Sequence, residues 1–324
     1  MQTQLAFLWV MIVFALTWDI VGGQMGYNSF GNILFFGLGM YVTAVVQRDL
    51  FFDVNEYVHL AGSARTLLTP PEYLAGLGLG LGASVLVAVA VAAVLGAGIL
   101  GLRGHYFAIC TLGLGIAAGE IFSGIDYVGA GSGLVTPTFP DALGPRALFF
   151  YYLFFALAGA AFFVLRALYR SRFGLALNAI RDDEDKAEAM GLHTTRYKTL
   201  AWCLAAVFLA VAGGGVGNLV GFIDPIDVAF AGATFGVWMI LMAILGGKGT
   251  LWGPVIGAAI FHLTQELFWT YLLGWQRVAL GLLIVVIVVF FPQGIMGYLR
   301  ARRPDWFGEV VDERPAGAPA GNGR

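Results

Sequence analysis

Five places in this 324-residue chain hold side chains that could do chemistry. Four are single ionisable residues inside apolar runs: Asp19, Glu120, His262 and Glu266. An ionisable group at membrane depth is costly, so each is a functional candidate by default. His262 and Glu266 are spaced i, i+4, which puts them on one helix face within reach of a shared hydrogen bond. That spacing would suit a proton relay. It suits a satisfied pair facing a bundle interior better, and a proton-driven carrier would hold more acids at mid-membrane. Asp19 and Glu120 lie near the ends of their runs and are expected to be interfacial carboxylates, hydrated at the headgroups. The fifth place is "RDDEDKAEAMG", residues 181–191, which concentrates charge in a chain only 12% charged.

That stretch belongs to a segment, 171–198, lying between two apolar runs. Phe173, Leu177 and Ile180 recur at helical spacing. The carboxylates that follow can cap a second helix N-terminus. Asp182 and Lys186 form an acid-first i, i+4 pair, and Gly191 offers a C-terminal stop. The spacing predicts a short helix, an acidic turn, a second short helix and a return to the membrane. Helices of about ten residues are marginal alone in water, so these need a docking partner, and a soluble protein on that face is expected.

Catalytic constellations are missing from the sequence. It has no HExxH, no CxxC and no nucleophile with a base nearby. "GGKGT" at 246–250 fails as a phosphate loop, because Lys248 is followed by Gly249 and Met242 stands where the first glycine belongs. "GAGSGL" at 129–134 lacks the strand–turn–helix setting of a dinucleotide fingerprint. Cys110 and Cys203 fall in apolar runs and are expected simply to pack. A net charge of −2 offers no basic surface for nucleic acid.

The elements that must position these residues are membrane spans. The chain is 59% hydrophobic, and its apolar runs reach the roughly 20 residues that cross a hydrocarbon core. They fall near 5–21, 28–47, 74–101, 105–123, 147–170, 199–221, 229–246, 251–272 and 277–299. The expectation is an all-α polytopic membrane protein with about eight to ten spans, some of them broken at glycine or proline. It forms one membrane domain over 1–299, followed by a disordered tail over 300–324. The first run has no basic n-region ahead of it and reads as a retained span. Arginine and lysine set the sides. Arg166, Arg170, Arg172, Arg181, Lys186, Arg196 and Lys198 place 171–198 in the cytoplasm, and Arg300, Arg302 and Arg303 place the tail there. Counting back puts 48–72, 124–146, 222–228 and the N-terminus outside. The alternating glycines of 76–84 are expected to let helices approach closely.

Several segments together resemble one family. "SRFGLALNAIRDDEDKAEAMGLHTTRYKTLAW" is similar to the cytoplasmic coupling loop of LivM-type permeases of branched-chain (hydrophobic) amino acid ABC importers. "GYNSFGNILFFGLGMY", "LRGHYFAICTLGLG", "GFIDPIDVAF", "ILGGKGTLWGPVIGA" and "FPQGIMG" follow in the family's order, covering about 22–298. The resemblance implies a multi-pass bacterial inner-membrane protein, not itself an enzyme. It implies a LivH-type permease partner, LivG- and LivF-type ATPases that hold the ATP and Mg, and a periplasmic or lipid-anchored substrate-binding protein. The chain itself would bind no cofactor or metal. The match places Gly174, Ala179, Ile180, Arg181, Asp182, Asp183, Glu184, Ala187 and Gly191 in the coupling element, with mechanical rather than catalytic roles.

The early segment departs from the commoner "SLGHAAFFGIGAY": Asn32 replaces His, Ile33 and Leu34 replace small residues, and Asn28 stands where Leu is common. Related permeases carry urea, amides and other small solutes, so the solute stays open, and a stand-alone carrier is the rival from another class. Helix ends and glycine breaks recur at transporter sites. On that ground Asn28, Ser29, Asn32 and Thr111 are the candidate substrate path.

Overall fold

In the computed structural model, residues 2–51, 68–271 and 294–302 are described, with five isolated positions between 275 and 285. The helices are α1 (Gln2–Asp19), α2 (Asn32–Phe51), α3 (Pro70–Ile99), α4 (Gly104–Ser123), α5 (Arg146–Tyr169), α6 (Arg172–Asp182), α7 (Glu184–Ala189), α8 (Thr194–Val220), α9 (Val237–Gly246), α10 (Trp252–Tyr271) and α11 (Gly294–Arg302). The only sheet among the described residues is an antiparallel two-residue pair, β1 (Leu134–Val135) with β2 (Phe222–Ile223). Seven helical segments among the described residues are long and apolar enough to cross a membrane. The eighth expected span is α10, a 20-residue helix packed on α1 and α9. The ninth, 277–299, falls mostly outside the described residues, as does the tail from 303 onward.

α1, α2 and α8 are mostly buried within the chain, while α3, α4 and α5 leave most of their apolar surface outward. A helix apolar all round belongs in a large core or a bilayer. α2 and α8 cross at backbone contact: a Cβ on Gly39 would collide with the carbonyl of Ala210, and one on Gly213 with that of Phe36. Small residues supply such approaches in membranes, where van der Waals packing replaces the hydrophobic drive between helices. The glycines of 76–84 divide by face. Gly76 and Gly80 pack on Phe51 and Thr43 of α2, whereas Gly78 and Gly82 face open space. α3 starts on a capped turn, where Glu72 accepts from both the backbone N–H and the hydroxyl of Thr69.

Two spans are broken, and their starts differ from the sequence expectation. The run expected from 28 is not helical until Asn32, and Gly26 turns the chain at φ +78°. Neighbouring side chains satisfy the freed backbone: Trp18 Nε1 donates to Ser29 O at 2.8 Å, and Phe30 N donates to Thr111 Oγ1 at 3.2 Å. The run expected from 229 starts earlier, as two π-helical turns, Pro225–Ala229 and Gly232–Gly236, leading into α9. Asp224 caps the first of these by accepting from Ile226 N and Asp227 N.

Long-range bonds sort the helix ends onto two faces. Arg48 donates to Tyr127 O and Tyr73 to Asn218 on one face. On the other, Asp19 accepts from Tyr169 and from Gly249 N, and Lys198 donates to Leu100 O. α6, α7 and α11 lie on this second face, so 171–198 and Arg302 share a side.

Candidate functional site

The loop face carries α6 and α7, and their local structure follows from the sequence signals. Ser171 caps α6, its Oγ accepting from Gly174 N at 3.4 Å. Gly174, Leu177 and Ile180 turn inward and are buried, Ala179 is half-buried, and Phe173 packs near Tyr197 with the rings tilted by 40° and their centres 5.4 Å apart. Asp183 caps α7, accepting from Lys186 N at 3.0 Å. Ala187 is buried beneath α7. Gly191 ends it at φ +88°, with its N–H donating to Glu188 O and that of Leu192 to Ala187 O. Gly174 tolerates no side chain, because a Cβ there would crowd the backbone of Leu168 and Tyr169.

The expected Asp182–Lys186 pair does not form. α6 ends at Asp182, so that residue lies outside the helix that carries Lys186. The ammonium instead meets Asp183 at 2.8 Å, three residues back on the first turn, and Asp182 meets Arg181 at 3.2 Å. The Lys186 backbone and side chain hold the Asp183 carboxyl below its ordinary pKa, and Asp183 raises that of Lys186 in return.

Glu184 is the hinge of the arrangement. Its side chain is 10% exposed, and Lys198 Nζ lies 2.5 Å from Oε1. Tyr27 donates its hydroxyl to Oε2, and Arg103 Nε stands 3.4 Å away. Burial pushes this carboxyl up, but Lys198 and Tyr27 outweigh it, and the net pKa lies below the ordinary value. Burial and the bond to Glu184 push the Tyr27 hydroxyl up. Lys198, almost fully buried, also reaches Leu100 O at 2.5 Å and Tyr27 Oη at 3.2 Å, so its three N–H groups each have an acceptor. Arg103 adds Asp185 at 2.6 Å and Glu188 at 3.9 Å, and the Asp185 bond raises its pKa. One carboxylate thus ties α7 to α8, to the α3–α4 junction and to the break after α1.

The outward side is different. Leu175 and Met190 are 66% and 86% exposed, and Arg172, Asp182, Asp185 and Lys186 face out beside them. A cavity of about 410 Å³ opens among Glu188 and the turn 191–196. Arg181 packs under Gly26 and near Gly249. The latter glycine lies in the former phosphate-loop candidate, which is pinned by Gly249 N to Asp19 (2.7 Å) and by Gln24 Nε2 to Gly249 O (2.9 Å). Asp19 is therefore fully buried rather than interfacial, because the 246–250 turn closes over it. Glu120 is exposed near the end of α4, where it was expected.

Of the substrate-path candidates, Ser29, Asn32 and Thr111 come together and are buried; Asn28 is exposed. Asn32 Oδ1 accepts from Ser29 Oγ (3.0 Å) and Trp202 Nε1 (3.2 Å), which leaves Asn32 Nδ2 buried without a partner among the described residues. Thr111 Oγ1 bonds back to Phe107 O and accepts from Phe30 N. His262 and Glu266 do not bond each other but share Gln4: His262 Nε2 lies 3.0 Å from its carbonyl, and its Nε2 donates to Glu266 at 2.6 Å. Sequence reasoning missed Tyr27, Arg103 and Gln4 as partners, and read Lys198 only as a marker of sidedness. A lysine one turn inside an apolar helix, and an arginine just ahead of another, were the available signals.

A family model described as "Branched-chain amino acid transport system / permease component" matches residues 2–290. The high-affinity branched-chain amino acid transport permease proteins LivM of Salmonella typhimurium and Escherichia coli K12 are each 26% identical, over 92% of this chain and 76% of theirs. LivH of Escherichia coli K12 is 34% identical over 39% of this chain and 40% of its own. No solved structure matches the chain significantly.

Proposed function

This multi-pass chain belongs to the permease-component family of branched-chain amino acid transport systems, and from that premise we propose that it is the LivM-type half of an ATP-driven importer for branched-chain or other hydrophobic amino acids. A LivH-type permease completes the path. LivG- and LivF-type subunits bind and hydrolyse ATP with Mg, so this chain supplies no catalytic group and holds no cofactor. A periplasmic or lipid-anchored binding protein delivers solute to the face opposite α6 and α7. The loop face is cytoplasmic in this reading, as its arginines favour, and the membrane is the bacterial inner membrane.

The observation that carries the reading is the two-sided construction of α6 and α7. Their inner side is bonded to the ends of several spans through Glu184, Lys198, Tyr27 and Arg103. Their outer side offers Leu175, Met190 and a mixed set of charges to a soluble partner. A push on the outer side would reach α8, the α3–α4 junction and the break at 20–31 through these bonds. Interfaces of this kind move as packed units rather than deforming continuously.

The test is a reconstituted complex with its ATPases and binding protein. Replacing the outward trio Leu175, Asp182 and Met190 by serine should leave the membrane domain assembled, while solute-stimulated ATP hydrolysis and uptake fall at least several-fold. Wild-type uptake by an assembled triple variant would remove the loop from the coupling role.

A further inference from the structure

Asp19 is a fully buried carboxyl with no part in the Glu184 cluster. It sits at the loop-face end of α1, and other elements meet on it. Its Oδ1 accepts from Gly249 N at 2.7 Å, and its Oδ2 accepts from Tyr169 Oη at 3.1 Å. Gln24 Nε2 donates to Gly249 O at 2.9 Å, so Gly249 is held through both its N–H and its carbonyl. A Cβ on Gly23 would collide with Gly249 N, so the break after α1 and the 247–250 turn touch through backbone. No ion pair to Asp19 forms among the described residues, although Arg181 and Lys248 are near enough to act on its charge. A buried carboxyl held only by neutral donors is a poor source of stability. Its use lies in what it joins.

The parts it joins are ones that the Glu184 cluster does not reach. Tyr169 is the last residue of α5, two residues before the Ser171 cap of α6. The 247–250 turn connects α9 to α10, and these helices also touch through backbone. A Cβ on Gly246 would meet Gly253 O, and one on Gly257 would meet Met242 O. Contacts this close leave the two helices little freedom to slide, so they form one packed unit. α9 continues back into the π-helical turn at Gly232–Gly236, so the unit extends into the second broken span. α6 reaches the same point directly. The Arg181 stem packs against Gly26, and a Cβ on Gly249 would lie 3.5 Å from its Nη1.

We propose that Asp19 is a positioning residue of the transport cycle. By fixing the 247–250 turn against Arg181, it gives the loop a second linkage, from α6 into the end of α5 and the α9–α10 unit. The Glu184 linkage serves α8 and the α3–α4 junction instead. Asp19 acts through the turn and not on the solute. Its part in transport rests on the transport reading above; its hold on the turn does not.

The test uses the complex reconstituted with its ATPases and binding protein. Two quantities are read: tritiated leucine taken up per ATP hydrolysed, and hydrogen exchange of the 247–250 amides with and without ATP. Asp19→Leu keeps the branched shape and removes both acceptors, whereas Asp19→Asn keeps an acceptor for Gly249 N. Assembled D19L should take up at least tenfold less leucine per ATP. Its 247–250 amides should exchange at least tenfold faster, while those of 184–189 keep wild-type protection. D19N should recover uptake to within about threefold. Wild-type uptake per ATP in assembled D19L overturns the role, and so does D19N as defective as D19L. If D19L does not assemble, Arg181→Met carries the test. In R181M the ATP-dependent change in exchange should be lost at 247–250 and kept at 184–189; a change kept at both overturns the linkage. A wild-type complex that changes exchange at 247–250 with ATP but moves no leucine would support the linkage and sink the transport reading. Leucine uptake with 247–250 exchange indifferent to ATP would do the reverse.

Discussion

Lys198 and His262 are both buried polar side chains on long helices, and their surroundings differ in one respect. Lys198 has an acceptor for each of its three N–H groups, and the Glu184 it meets also holds Tyr27 and Arg103. Among the described residues, His262 has one bond, to the backbone of Gln4, and its Nδ1 has no partner, nor does Gln265 Oε1. Low dielectric strengthens a saturated network and penalises an unsaturated one. The first cluster therefore holds helices together. The second gives up stability. Burial alone does not make a polar group stabilising; the count of satisfied donors and acceptors does.

That contrast predicts opposite signs for substitutions of similar size. The largest effect is expected from Lys198→Met, which strands Glu184 and the Leu100 carbonyl. Breaking one partner of a buried pair costs about 3 kcal/mol, so thermal unfolding in detergent should drop markedly, and the double variant K198M/E184Q should recover much of the loss. An unchanged melting temperature in K198M would break the comparison. Next comes Gln265→Met, which removes a bare carbonyl while keeping the volume. Its stability should be unchanged or raised by up to about 1 kcal/mol, the reverse of K198M.

Acid should then act selectively. The Glu184 carboxyl has a folded-state pKa below its ordinary value of 4.5. Its contribution is therefore complete above that ordinary value and is lost as pH falls through the lower, folded-state one. Lowering pH below 4.5 should cost the wild type more melting temperature than it costs K198M/E184Q; parallel curves would show that another group carries the acid response. The smallest effect belongs to Asp182→Asn, whose exposed pair with Arg181 is worth under about 0.5 kcal/mol. That variant should melt like the wild type.

Much of the fold was legible because its signals are short in sequence. Hydropathy marked the spans, and an acidic run and a glycine marked the bounds of α7 where Asp183 and Gly191 now cap it, whereas the Ser171 cap of α6 came only from the structure. The breaks were less legible. Whether a glycine-rich run stays helical depends on whether a neighbour can satisfy the backbone it frees, and Trp18 and Thr111 do this from other helices. The division of Gly76 and Gly80 from Gly78 and Gly82 was hidden for the same reason, since an alternating pattern does not say which face meets α2.

The acids of "RDDEDKAEAMG" show where that boundary lies. The sequence by itself determined that this stretch forms a capped helix, and its flanking arginines marked a side, because capping and topogenic charge act over a few residues. Only the tertiary structure decided their separate tasks. Asp183 caps, Glu184 turns inward to Lys198, and Asp182 and Asp185 face out. It likewise decided that His262 and Glu266 meet through Gln4, a residue more than 250 positions away. Charge and hydrogen bonding act through space, and the partners that complete a buried polar group are set by which helices the packing brings together.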